Sequence, residues 1–450
     1  MPSSTELTAL RTALRGAVLL PGDADFDAAR SPWNLAIDQR PAAVVSPTDV
    51  DDLRALLDVA RGSGAPLAVQ PSGHGASGDL AGAIIVRMRA FDGLDIDLVS
   101  GVARIGSGVR WGAVVEALEG TGWAAPAGSS PVVSVAGYTL GGGHSWFSRT
   151  AGLGSDALRA VQILRPDGTH ERIDDDSDPE TMWALRGAGG TMGVVTELEI
   201  DLVRTPALWG AGLTFDVADA VTVLRAVRDL AVDAPPTLNV FTNSMRMPDA
   251  PQLPPEIRGR HFLSVQALSV DGAAESLIDG IRRAGTVQRE IVGPTSPAAL
   301  AAASAEPTDP TPGAGASFAL AALDDATIAA LIDFREQPEQ WPIMGIDIRM
   351  LGGALRTPRR SGLASLAAAD WLVHALVPVI PGVPAEPGAA SLDGLRALLA
   401  SVRAPQTVTT FLTPGQGLDL CGSVDDLRRL RALRDAADPE GILHEGRLSR

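Results

Sequence analysis

Short blocks of apolar residues, separated by polar turns, set the first expectations. Residues 5–15 carry apolar side chains at helical spacing. Ala42-Ala43-Val44-Val45 is an apolar run that stops at Ser46-Pro47-Thr48 and reads as a strand. Thr48 is placed to cap a helix over 49–61, whose first-turn acids suit the helix dipole. Residues 66–70 read as a second strand. The pattern is β-α-β, with parallel strands joined by a crossover helix. Short strands then follow at 83–88, 94–98 and 102–105, with a helix at 111–119. Residues 158–164 and 169–173 flank Asp167-Gly168, which predicts a hairpin. Residues 179–185 form a short helix, and 194–203 another strand.

Beyond about Pro206 the rhythm changes. Helices are expected at 217–231 and 273–284, with a strand at 262–270, as in a sheet covered on one face. Residues 293–315, rich in Ala, Pro, Ser and Thr, read as a long surface loop, and 378–387 as a proline-rich bend. A helix over 423–437 is stopped by Asp438-Pro439.

A chain of 450 residues is too long for one ordinary core, so two lobes or more are expected. Acidic residues outnumber basic ones 54 to 37, for a net charge of −17. That excludes non-specific binding to nucleic acid or to an anionic membrane. Every basic position is arginine, so Schiff-base chemistry and a P-loop lysine are excluded. Cys421 is the only cysteine, which excludes an internal disulfide and a multi-cysteine metal site; no metal is expected. No signal-like apolar segment and no bilayer-length run stands out, which leads to the expectation of a soluble, cytoplasmic protein.

Candidate chemistry lies in three glycine-rich segments. The first is Gln70-Pro71-Ser72-Gly73-His74-Gly75-Ala76, directly after a strand, where backbone N–H groups can cradle an anion such as a pyrophosphate. The second runs from Gly128-Ser129-Ser130 to Gly141-Gly142-Gly143-His144. The third is Gly187-Ala188-Gly189-Gly190-Thr191-Met192-Gly193-Val194-Val195. It follows a helix and leads into a strand, the reverse of a Rossmann glycine loop. Each alone can be a tight-turn cluster; so many small residues in this order predict a ligand lying against backbone.

With these segments the chain resembles FAD-linked oxidoreductases of the vanillyl-alcohol oxidase type, in the berberine-bridge-enzyme-like branch. The resemblance covers residues 34–205 and returns at 427–444. It implies an α+β fold of two lobes. One is a PCMH-type FAD-binding domain, 1–205 completed by 407–450. The other is a substrate domain, 206–406, built on an antiparallel sheet covered by helices. It implies FAD held by Pro71, Ser72, Gly73, His74, Gly75 and Ala76. Further contacts are implied at Gly128, Ser129, Ser130, Val133, Val135, Gly137, Gly141, Gly142 and His144, and at the adenine end at Gly190, Gly193 and Val195. His74 stands where the family bonds the flavin to imidazole; the alternative is a histidine that lines the loop beside non-covalent FAD. Bicovalent members have cysteine at the position of Ser130, so at most one link is expected.

Three departures stand out. The arginine familiar in the first loop is Gln70. The only tyrosine is Tyr138, so the usual tyrosine base is absent or moved. The usual asparagine after Asp-Pro is Gly441. Candidates for proton handling are His444, near the chain's return, and Tyr138. Asp347 and Arg349, which alternate in Ile346-Asp347-Ile348-Arg349 and so share a strand face, are further candidates. Each has a plainer reading, as a tail residue, a packed ring or a solvated strand face. His374 is expected in a core or wall. The implied function is oxidation of a small organic molecule by hydride transfer to flavin N5, with O2 as reoxidant, in secondary metabolism. The alternatives are a redox-neutral cyclase or isomerase with FAD, and a non-catalytic flavin-binding protein.

Overall fold

The computed structural model describes residues 4–448 except 79, 252–254, 256 and 305. The chain begins with the helix Ser4–Ala13 and the strands β1 (Ala17–Leu19), β2 (Ala43–Ser46), β3 (Leu67–Val69) and β4 (Ile84–Val86). Their order is β1-β2-β4-β3, with β2, β4 and β3 parallel. The two strands of the predicted β-α-β unit are therefore not neighbours, because β4 slots between them. Its sequence, Ile84-Ile85-Val86, is buried on both faces, which suits a central parallel strand. The crossover helix is Val50–Ser63. Its cap is Asp49, which accepts from the N–H groups of Asp51 and Asp52, and not Thr48. Thr48 instead donates its hydroxyl and its N–H to Asp52 Oδ2, both at 2.8 Å.

The next strands are β5 (Leu94–Asp97), β6 (Val102–Gly106), β7 (Trp123–Ala124), β8 (Leu158–Leu164), β9 (His170–Asp174), β10 (Val194–Asp201) and β11 (Val203–Arg204). β5-β6-β10-β8-β9 form an antiparallel sheet, and β7 pairs with β11. The turn between β8 and β9 holds Gly168 at φ +89°, as Asp167-Gly168 predicts.

The second half builds one large antiparallel sheet from β12 (Trp209–Asp216), β13 (Leu238–Arg246), β14 (His261–Ser269), β15 (Val287–Pro294), β16 (Gly313–Leu320), β17 (Gly345–Met350) and β18 (Trp371–Pro378). Their order is β15-β12-β14-β13-β17-β18-β16. One face, with Val240, Ile346, Ile348, Val373 and Phe318, packs under the helices Ala220–Asp233, Asp325–Glu336 and Glu386–Leu398. Residues 293–315 are not one loop: they hold the end of β15, the helix Pro297–Ser304 and the start of β16. Within 273–284 a single 3-10 turn, Glu275–Ile278, precedes the short helix Asp279–Arg283.

The other face of the large sheet lies on the first half of the chain. Phe241 and Leu268 pack with Trp146 and Phe147, and Leu372 and Ala319 with Leu153, Ala364 and Val408. Arg149 pins the seam: its guanidinium donates to the carbonyls of Leu238 (2.7 Å), Ala234 (2.9 Å) and Leu351. Residues 407–448 then run back over the first half. The helix Val424–Ala437, capped by Ser423 in a reciprocal box with Asp426, leads to a segment paired with β3. Among the described residues no helix is long and apolar enough to cross a membrane.

Candidate functional site

The loop after β3 turns sharply at Gly73, where φ is +77° and a Cβ would sit 2.9 Å from Pro32 Cα. It presents His74 in a cavity of about 170 Å3 that Trp33, Ser72, Arg87, Arg89 and Arg110 also line. The His74 ring stacks on Trp33 at 4.5 Å. Nδ1 lies 3.3 Å from Ser72 Oγ, while Nε2 is buried with no hydrogen-bond partner. Burial, and then the charge of Arg110, push its pKa down to about 4, so the imidazole is neutral with a free ring nitrogen. Arg87 donates to the Gln70 carbonyl (2.8 Å) and to its Oε1 (3.0 Å), so a guanidinium stands at the loop whose own residue is uncharged.

The second segment is not all loop. Residues Val135–Leu140 form a helix, with Ser134 accepting from Gly137 N–H. Ser134 N–H also donates to Ser72 Oγ, which joins this segment to the first. The third segment is tied to the second by Gly189 N–H donating to the Leu140 carbonyl. The returning chain stitches both: Thr409 Oγ1 donates to Gly187 O, Thr410 N–H to Gly141 O, and Gly143 N–H to Thr410 Oγ1.

The glycines divide into two groups. A Cβ at Gly143 would lie 2.3 Å from the Tyr138 ring, one at Gly187 2.4 Å from Ala364 N, and one at Gly193 2.7 Å from Ile163. Protein packing demands these. Gly142 and Gly128 are also close-packed, at 3.0 Å from Val408 and 3.1 Å from Tyr138. Gly75 and Gly189 meet nothing within 4 Å, Gly190 only a carbonyl at 3.5 Å and Gly137 only Ser134 Oγ at 3.9 Å. Beside that open backbone, Ser130 Oγ, Thr139 Oγ1 and Thr191 Oγ1 are buried without partners. Orphaned polar atoms beside room for more atoms fit a bound polar cofactor with phosphate and ring edges. Val135 does not share in this, since its side chain is in the core and its N–H bonds Val109 O. Val133 gives its carbonyl to Trp111, Ser129 bonds Glu306, and Val195 precedes a bulge in β10.

Above these loops, on the large sheet, Asp347 and Arg349 do share a face, with Nε 2.5 Å from Oδ2. The guanidinium lies over Phe241 at 4.9 Å and Phe411 at 5.6 Å. His144 fits among the same rings, 5.6 Å from Phe241 and 6.3 Å from Phe411. Burial, then Arg349, holds His144 well below its ordinary pKa. Burial raises that of Tyr138, which Arg349 opposes. His374 is pushed down to about 4 by burial and by Arg349. The structure thus gathers Tyr138, His144, Asp347, Arg349 and His374. It places His444 elsewhere, on the segment along β3, where its N–H donates to Leu67 O. Sequence reasoning missed Phe241 and Phe411, Asn243, which stands opposite Asp347 on β13, and Trp33 over His74.

Residues 41–174 match the sequence profile of the FAD binding domain family. The chain is 31% identical over 245 residues to (R)-6-hydroxynicotine oxidase of Paenarthrobacter nicotinovorans, covering 52% of this chain and 54% of that protein. It is 27% identical over 212 residues to glucooligosaccharide oxidase of Sarocladium strictum, covering 45% of this chain and 42% of that one. The matched stretches span about half the length of these relatives. Among solved structures, a variant of BBE-like 1 from Physcomitrella patens superposes with a TM-score of 0.85 at 18% identity, over 99% of both chains. The 6-hydroxy-D-nicotine oxidase of Arthrobacter nicotinovorans does so at 0.82 and 22%, over 96% of this chain and 97% of that one. At these identities the likeness is one of fold.

Proposed function

From a chain that carries an FAD binding domain within the fold of the BBE-like FAD-linked oxidases, we propose an FAD-dependent oxidoreductase that oxidises a small organic molecule between its two lobes. FAD would lie along the open backbone at Gly75, Gly137, Gly189 and Gly190, bonded once, to His74. The two lobes are 1–205 with 407–450, and 206–406. The observation that carries the reading is the meeting of Asp347–Arg349 with His144 and Tyr138 directly above the glycine loops.

Bound FAD supplies a hydride acceptor, and O2 the oxidant that restores it. The chain's own residues then divide the rest. Asp347 accepts the proton that the substrate loses with the hydride; it takes this role in place of His444, which lies along β3. Arg349 steadies the negative charge that develops on the substrate heteroatom. Tyr138, kept protonated by burial, and His144, kept neutral, orient the substrate by hydrogen bonds and add no charge. Phe241 and Phe411 shape the wall and exclude water. The reading includes a role in secondary metabolism.

The test is an absorption spectrum of the purified protein, then acid precipitation. A yellow pellet is expected, and His74→Ala should release the flavin to the supernatant. A colourless pellet from yellow protein overturns the bond. A colourless protein that takes up no added FAD overturns the whole reading. Anaerobic bleaching by a substrate is expected; product formed without bleaching or O2 uptake marks a redox-neutral reaction instead.

A further inference from the structure

Arg349 has more donors than the protein uses. A guanidinium carries N–H groups on every nitrogen. Nε donates to Asp347 Oδ2 at 2.5 Å, and among the described residues neither Nη atom has an acceptor. The fold explains why. The register sets Phe241 of β13 and Leu372 of β18 opposite Arg349, so both neighbouring strands offer it only hydrocarbon. The rings of Phe241 and Phe411 lie against the guanidinium and fix its tilt without giving it an oxygen. The Nη edge is not sealed in by them: the side chain keeps 18% of its exposure, and neither Nη is among the buried, unpartnered atoms. That edge opens on the cleft.

The charge of Asp347 does not cancel that of Arg349 there. His144, His374 and Tyr138 stand round the pair. Burial is the main influence on each of them. The next is Arg349, which favours the neutral form of both histidines and opposes burial at Tyr138. Asp347 enters only at His374, and behind Arg349. The cleft is therefore electropositive within a chain whose net charge is −17.

We propose that the substrate carries a carboxylate, gripped by the Nη1 and Nη2 edge of Arg349 while Nε stays on Asp347. This rests on the FAD-dependent oxidation, and on the role of Asp347, proposed above. The planar fork of a guanidinium matches the two oxygens of a carboxylate. A neutral carbonyl would occupy one donor and leave the positive field unanswered. A phosphate ester brings about two negative charges, and Arg349 is the one cation among the groups gathered here. Phe241 and Phe411 keep water from the grip, which strengthens it. The oxygen that passes its proton to Asp347 then lies beside the carboxylate, within reach of the same cation.

The test is titration calorimetry of flavin-bound protein with acetate, benzoate and phenylacetate, each against its amide of the same shape. At least one acid is expected to bind at least tenfold more tightly than its amide. Arg349→Lys keeps a charge but not the fork, and should lose at least tenfold in affinity for that acid. Arg349→Met should bind acid and amide alike. Acids that bind no better than their amides overturn the proposal, and this comparison needs no variant to fold. So does a preference for the acid that survives in Arg349→Met, or full affinity in Arg349→Lys. The flavin spectrum of the same samples is a separate readout: its absence counts against the FAD reading, and coloured protein that does not tell acid from amide counts against this one.

Discussion

Gly143 and Gly75 lie in similar-looking sequence and answer to different forces. Gly143 has φ +71° and no room for a Cβ beside Tyr138, whereas Gly75 faces open space. Gly143→Ala should therefore cost on the order of 2–4 kcal/mol, from overpacking and backbone strain together. Gly75→Ala should leave the melting temperature of flavin-free protein unchanged and lower the flavin content. Thermal melts and the ratio of flavin to protein absorbance separate the two. Equal loss of stability in both would mean that no ligand occupies the first loop. At this scale the sequence was readable where chemistry is local, as in the alternation that puts Asp347 and Arg349 on one face. It was mute on partners: nothing near Asp347 in the chain encodes His144, some 200 residues away, or His374 on the next strand.

Elements were legible where one face is apolar and the other polar. The crossover helix and the β8–β9 hairpin are of that kind. β13 is not. Leu-Asn-Val-Phe-Thr-Asn is buried on both sides, under helices on one and on the loops with Trp146 on the other, so its alternation is blurred. Phe241 and Asn243 were lost with it. Likewise, β4 could be seen as a strand but not as the one between β2 and β3, because pairing order is a long-range property. The helix Pro297–Ser304 was hidden by its Ala, Pro and Ser content, which also suits a loop. Phe241 meets the rings of His144 and Trp146 across the seam, and the Arg349 guanidinium opposite it on the sheet. Phe241→Ala should cost roughly 3–5 kcal/mol by cavity formation. Phe241→Leu, which keeps the apolar volume but not the ring, should cost less than half as much. Denaturant unfolding of flavin-free protein checks this, and near-equal losses would mean that the ring stacking contributes the stability.

At the scale of the molecule, buried histidines couple stability to acidity. His74, His261 and His374 each have a folded pKa of about 4, against about 6.5 in an unfolded chain. His261 lies on the helix-covered face, where its ring meets Ser244, Glu336 and Arg246. Between those values the unfolded state binds more protons, so stability falls as pH drops from about 6.5 to about 4. The loss is on the order of 1 kcal/mol per buried histidine at pH 5.5. Asp156 acts the other way: burial raises it to about 6, and stability returns as pH falls through that value. The net expectation is a lower melting temperature of flavin-free protein at pH 5.5 than at pH 7.5. His261→Gln should flatten the slope, and a melting temperature independent of pH would refute the buried-neutral assignment.

The pairing of Leu67 with Leu443 sets an order of events during synthesis. β3 is an edge strand until residues 442–444 lie along it, and the loop that carries His74 begins at the end of β3. Arg447 reaches the same loop, donating to Gly75 O. While a ribosome is still making the second half, the first half therefore holds an open sheet edge and a loop without its support. Capture of the cofactor is then a late step, after release of residues 442–447, and a nascent chain stalled upstream of them would emerge colourless however much FAD surrounds it.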